Sequence, residues 1–264
     1  MKNALLIGCI LAGVSAVIAR ADDPIFSVDG LYLYGHAGGY VQTPAGGESG
    51  STSSHRPKLS ELGLDDVSVF DVSTSAEFDH NELFLGGQIG QFSGSHTLGS
   101  TLISHGTTFP AGTHVSSDLT LDWYRLGYGR EFPLDSHGDW SLTPAADVAI
   151  LDFSYKLKGG GESTSRAYLK PTFQLGADLR WNPDNGPFSI DLIAAVTPPI
   201  SGLPWIDEES IMASYKFINN KNIVATGSVG MGFEQIQFED SQTVSNHIKV
   251  DYGPMLLIGL RVEF

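Results

Sequence analysis

Ser245, Asn246, His247 and Asp251 lie close together near the end of this 264-residue chain, with Asp240 shortly before them. A hydroxyl, an imidazole and carboxylates are the parts from which a nucleophile, a base and an orienting group are made. On an extended strand, however, His247 and Asp251 stand about 13 Å apart at ~3.3 Å per residue, so a catalytic set would need a partner from a neighbouring strand. No catalytic residue is assigned from the sequence. His96, His105 and His114 recur every nine residues among Ser, Thr and Gly. With no carboxylate or close pair beside them, no metal site is expected. His36, flanked by Tyr32, Tyr34 and Tyr40, reads as a hydrogen-bonded interior residue rather than a ligand.

A second set of ionisable residues is spread along the chain but shares one phase of an alternating pattern: Asp71, Glu77, Glu82, Arg125, Glu131, Asp147, Lys170, Asp178, Arg180, Asp191, Lys216, Glu234, Arg261 and Glu263. If the alternating segments enclose an interior, these residues form a lumen charge network. Near-balanced charges in such a space should pair, because an unpaired buried charge is expensive. A salt-bridged, water-poor plug is the expectation, and a path for ions or small solutes the alternative.

The segments that must position these groups are strands. Between 166 and 182, Ala167, Leu169, Pro171, Phe173, Leu175, Ala177, Leu179 and Trp181 alternate with Arg166, Tyr168, Lys170, Thr172, Gln174, Asp178 and Arg180. Such a ribbon is about 50 Å long at ~3.3 Å per residue, where strands of globular proteins average about 5–6 residues. An apolar face of that length with a Trp at its end suits lipid. Ten such strands are expected, near 30–41, 67–79, 82–94, 117–131, 139–157, 166–182, 187–198, 209–218, 222–238 and 248–264, with eight if 67–94 is irregular. In the first of them, Leu31, Leu33, Ala37 and Val41 are assigned to the apolar outer face and the tyrosines with His36 to the interior. Long connections at 42–66, 95–116, 158–165, 199–208 and 239–247 alternate with short ones, the pattern of outside loops and periplasmic turns. In the first long loop, Leu59, Leu62 and Leu64 suggest a short helix resting on its own loop rather than a lid.

The chain opens with Met1, Lys2 and Asn3, an apolar run from Ala4 to Ala19, and an Ala19-Arg20-Ala21 cleavage pattern. Residues 1–21 read as a signal peptide, with the barrel over 22–264. Cys9 falls within that leader, leaving no disulfide framework beyond it. Without Lys2 and Arg20, the 15 basic residues become 13 against 30 acidic, a formal charge of −17 that argues against nucleic acid as a partner.

The end of the chain, PMLLIGLRVEF, puts Leu256, Ile258, Leu260, Val262 and the terminal Phe264 in one phase. Leu260, Val262 and Phe264 resemble the C-terminal assembly signal of Gram-negative outer-membrane β-barrels. The resemblance implies an all-β, antiparallel up-and-down transmembrane β-barrel with both termini periplasmic. It implies outer-membrane lipid and lipopolysaccharide as surroundings and the barrel-assembly machinery as a partner in biogenesis. No cofactor is indicated, and oligomeric state is not legible. The expected role is envelope structure or surface interaction without catalysis. A narrow pore is one alternative; an enzyme on lipid or peptide is the other, although the motifs of omptin proteases and lipid A deacylases are not recognisable.

Overall fold

The computed structural model describes residues 24–43, 56–240 and 245–264. The signal peptide expected at 1–21, with Ala19 and Ala21, lies outside the described residues. Ten long strands form one closed antiparallel barrel: β1 (Ile25–Gln42), β2 (Asp66–Phe78), β3 (Asn81–Thr97), β4 (His114–Arg130), β5 (Trp140–Gly159), β6 (Glu162–Trp181), β7 (Phe188–Val196), β8 (Trp205–Asn219), β9 (Val224–Glu239) and β10 (His247–Glu263). Chain neighbours are sheet neighbours, and the pairing of β1 with β10 closes the ring. Ten strands, not eight, is the outcome. Phe264 exchanges backbone hydrogen bonds with Phe26, at 2.9 and 3.1 Å, and stacks on its ring.

The barrel has two halves of opposite polarity, and β5 shows how the sequence encodes them. Its outward residues run Trp140, Leu142, Pro144, Ala146, Val148, Ile150 and then Asp152, Ser154, Lys156, Lys158. Its inward residues run Ser141, Thr143, Ala145, Asp147 and then Ala149, Leu151, Phe153, Tyr155, Leu157. Both faces invert near Ile150 without an inserted residue. The outward change recurs between Phe70 and Ser68 on β2, Ile89 and Gln91 on β3, Tyr124 and Asp122 on β4, and Phe233 and Gln235 on β9. The near half, which carries the strand ends Ile25 and Glu263, is therefore apolar outside and polar inside. The far half is polar outside and apolar inside.

Length fixes what covers the near half. From Trp140 to Ile150 the strand rises about 33 Å, or about 25 Å of height at a tilt of ~40°, the span of an outer-membrane apolar band. Trp140, Trp181 and Phe188 cluster at its near edge, with ring centroids 6.1 and 6.3 Å apart, as an interfacial girdle. An Ala146→Arg change is expected to cost about 2–4 kcal/mol of assembly, as for a cation facing mid-bilayer, whereas Ser154→Arg on the same face should cost close to nothing. Heat-modifiable gel mobility of the two variants checks this; equal behaviour would remove the boundary.

The far half is filled. Trp123, Phe109, Phe153, Leu121, Leu151 and Leu157 are each under 2 % exposed, in one continuous apolar core. Two connections complete it. Beyond Asp66, β2 is replaced by residues 57–65: Val41 donates its N–H to Pro57 and Ala37 donates to Asp65, so this segment lines the edge of β1. Its 3₁₀ turn Leu59–Leu62 reaches Gly63, in the left-handed region at φ 70°, which presses on β3 where a Cβ on Gly94 would stand 1.8 Å from the Gly63 carbonyl oxygen. Leu59, Leu62 and Leu64 thereby enter the core. The expected helix on its own loop is instead part of the barrel wall, because three leucines gain more by burial there than on a surface. The connection 98–113 folds into a small hairpin, Leu102–Ser104 with Thr107–Phe109, that buries Leu98, Leu102 and Phe109.

Other expectations need correction. On β1 the faces are reversed: Leu33, Ala37 and Val41 are buried inside, while Tyr34 and His36 point out. His36 lies 3.4 Å from Asp66 on the exposed surface. The physical reason is the same inversion, since apolar residues belong inside once the strand leaves the lipid. The connection expected at 158–165 is a tight turn through Gly160 and Gly161, both at positive φ, between strands of 20 residues each. Trp205 to Glu208, expected in a loop, belong to β8.

Candidate functional site

Three arginines organise the interior of the near half. Arg125 donates from Nη2 to Asp71 Oδ2 at 2.9 Å, stands 3.7 Å from Glu208 and lies over the Trp123 ring. Glu208 and Glu234 face each other across the β8–β9 pairing. The Gln88 amide donates to both Glu234 oxygens at 2.9 Å, and Gln174 donates to Glu208 at 3.1 Å. Arg180 binds Asp191 at 2.6 Å and lies 3.7 Å from Asp178. Arg261 binds Glu263 at 2.9 Å, approaches Asp29 at 3.7 Å and is hydrogen-bonded to Glu77.

These clusters surround a cavity of about 420 Å³ whose lining runs from Glu263 and Lys216 at the near end to Gln88 and Glu234. There Met212, Met255 and Leu257 join the wall and the apolar core begins. Glu82 and Lys216 line this space without an ion pair among the described residues. Asp147 also faces inward, with one carboxylate oxygen unpartnered.

Two residues of the expected network lie elsewhere. Glu131 sits in the turn after β4, 3.3 Å from His80. Lys170 enters the far half, its ammonium 5.2 Å from the Phe238 ring centroid. Two members lie outside the network expected from the sequence: Asp29, since the first strand is expected from 30, and Glu208, since 199–208 is expected to be a loop. In both cases the alternation simply continues, through Ser27 and Asp29 and through Ile206 and Glu208. With them included, carboxylates clearly outnumber cations, and the near-balance expected from the sequence does not hold.

A second cluster sits on the outer wall at the far rim. His247 faces Gln42 on β1 and Glu239 on β9. Its Nε2 is 2.8 Å from the Tyr40 hydroxyl, and its Nδ1 is 3.8 Å from Glu239. Arg56 covers the Tyr40 ring and donates to Gln42 at 3.0 Å. Burial and then Arg56 push the His247 imidazole below its ordinary value, against the pull of Glu239. A neutral imidazole between a hydroxyl and a carboxylate has the form of a base with an orienting group. Here the Tyr40 hydroxyl occupies its Nε2, and Arg56 covers the Tyr40 ring. Of the other residues singled out near it, Ser245 donates to Glu239, Asn246 is bound to Asp240, and Asp251 pairs with Lys249 and Gln235 away from the imidazole.

His114 lies 3.4 Å from Thr97, and His105 occupies the turn of the 102–109 hairpin. Among the described residues no group of three His, Cys, Asp or Glu is placed to hold a metal ion.

At the near end, Asp135 accepts the N–H groups of His137, Gly138, Asp139 and Trp140 at 2.7–3.2 Å. Desolvation pushes its carboxyl up, but the four donors together outweigh it, and the group titrates below the usual range.

The belt of exposed apolar side chains on a closed, even-stranded ring decides the architecture. The chain has the fold of an outer-membrane β-barrel. No family model and no curated protein matches it. Among solved structures it is similar to Ail, the attachment invasion locus protein of Yersinia pestis, in complex with the heparin analogue sucrose octasulfate, at 14 % identity over 92 % of this chain and 100 % of that one, TM-score 0.35. It is similar to the outer membrane protease OmpT from Escherichia coli at 11 % identity, covering 92 % and 97 %, TM-score 0.44. For Neisserial surface protein A the values are 11 %, 90 %, 97 % and 0.35. At such values the likeness says nothing of the site.

Proposed function

We propose that this protein is a non-conducting outer-membrane anchor that holds its far half outside the cell as a folded platform for surface interaction. The near end, with the termini, faces the periplasm. One observation carries the reading: the polar cavity ends against a dry apolar core sealed by residues 57–65 and by the 102–109 hairpin. Ions need a continuous polar path, and packed Trp, Phe and Leu side chains present the opposite. Filling the outer part of a ten-stranded barrel in this way stabilises it without help from lipid, and frees the polar outer wall for contact with partners. The rim cluster supports binding over turnover, because the His247 base is engaged by Tyr40, whose ring Arg56 covers.

Purified protein in planar bilayers should stay electrically silent at a density of inserted barrels confirmed by gel shift. Discrete, reproducible conductance steps would restore the pore reading and remove this one.

A further inference from the structure

The outer wall of the far half carries an open groove of about 570 Å³ beside the rim cluster. One side is the turn from Pro199 to Leu203, with Ile200 exposed; the floor is Trp205 with Gln235, Gln237 and Glu239. We propose that this groove binds an uncharged saccharide unit of an outer-leaflet glycolipid.

Chemistry identifies the class. A pyranose ring has an apolar C–H face and a rim of hydroxyls, so its complement is an aromatic face beside neutral donors and acceptors. Trp205 and Gln237 stand directly opposite each other across β8 and β9, both pointing outward. Neither the Trp205 indole N–H nor the Gln237 amide is hydrogen-bonded among the described residues. The wall is stiff before any ligand arrives. Prolines at 198, 199 and 204 restrict the turn, Thr197 and Ile206 exchange hydrogen bonds at 2.8 and 3.2 Å, and Thr172 donates to the Pro204 carbonyl at 2.9 Å. A preorganised wall lowers the entropy lost on binding.

Position identifies the source. Gln237 lies four residues beyond Phe233, the last lipid-facing residue of β9, or about 13 Å along the strand. That is headgroup height, where the sugars of a neighbouring glycolipid meet the barrel wall. Glu239 and Asp240 border the groove, so phosphate groups are repelled and a neutral sugar is selected.

The inference rests on the far half facing outward, yet its test does not: binding in solution is independent of orientation and of conductance. The full chain is folded in a detergent without a sugar headgroup and mixed with a neutral hexose oligosaccharide of the outer-core type, free of phosphate and of acidic sugars. Saturation-transfer NMR on the saccharide should show saturable contact with the wild type. Trp205→Phe should keep it, Trp205→Ala should weaken it about tenfold or more, and Gln237→Leu about fivefold, the loss of one hydrogen bond. Heat-modifiable mobility confirms that each variant is folded. No transfer to the wild type, undiminished binding by folded Trp205→Ala, or competition by lipid A stripped of its core sugars would each overturn the proposal.

Discussion

Phe153→Ala should destabilise the folded barrel by about 3–5 kcal/mol, the cost of removing a large aromatic from a close-packed core. The side chain is fully buried and stacks on Tyr168 at 4.5 Å, and Tyr168 in turn lies 5.0 Å from Phe238. The substitution therefore removes one end of a row of three rings drawn from three strands, with Tyr168 at its centre. In a barrel with a hydrated interior the same truncation would leave water in place of the ring at little cost. Thr143→Ala, inward on the same strand but in the polar near half, is the internal control and should change stability by no more than about 0.5 kcal/mol. Urea midpoints followed by gel mobility in detergent compare the two. If Phe153→Ala and Thr143→Ala behave alike, the far half is not a dry core, and the argument for a sealed lumen goes with it.

The sequence made the near half legible because lipid imposes one rule on every strand. Leu256, Ile258 and Leu260, or Phe70 and Val72, announce their face without reference to any partner, and the strand count followed from that rule, although the long connection expected at 158–165 is a tight turn. The far half obeys the opposite rule, which becomes visible only when the phase is followed beyond the membrane. On β5 the apolar run through Ile150 is succeeded, one position out of phase, by Leu151, Phe153, Tyr155 and Leu157. On β1 the tyrosines that face outward look polar next to Leu33 and Ala37, and local pattern alone exchanges the two faces of that strand.

The burial of Leu59, Leu62 and Leu64 could not be read locally at all. It depends on β2 stopping at Asp66 and leaving a gap in the wall, a fact about strand pairing and not about residues 57–65 themselves. For the candidate sites the limit was similar. The carboxylates and arginines were visible as types, but Arg125 with Asp71 and Glu208, and Trp205 with Gln237, are products of register. The sequence shows which residues share a face and leaves open which of them stand side by side.

Register also sets the largest effect expected inside the membrane-spanning half. Arg125→Met should cost about 3 kcal/mol or more, because it leaves Asp71 and Glu208 buried without their common cation. The Arg125 side chain is 22 % exposed and the Asp71 side chain 11 %, so solvent screens them only in part. Methionine keeps most of the aliphatic length against Trp123, which isolates the loss of charge from the loss of packing. The triple change Arg125→Met, Asp71→Asn, Glu208→Gln removes the stranded charges together with the cation and should recover most of the stability, as replacing a whole buried ion cluster is often nearly neutral. Urea midpoints of the single and triple variants decide between roles. Recovery in the triple variant means the cluster serves to neutralise charge within the barrel. If the single variant is already as stable as the wild type, the cavity is open enough to solvate lone carboxylates, and the near half is a water-filled vestibule and not a paired interior.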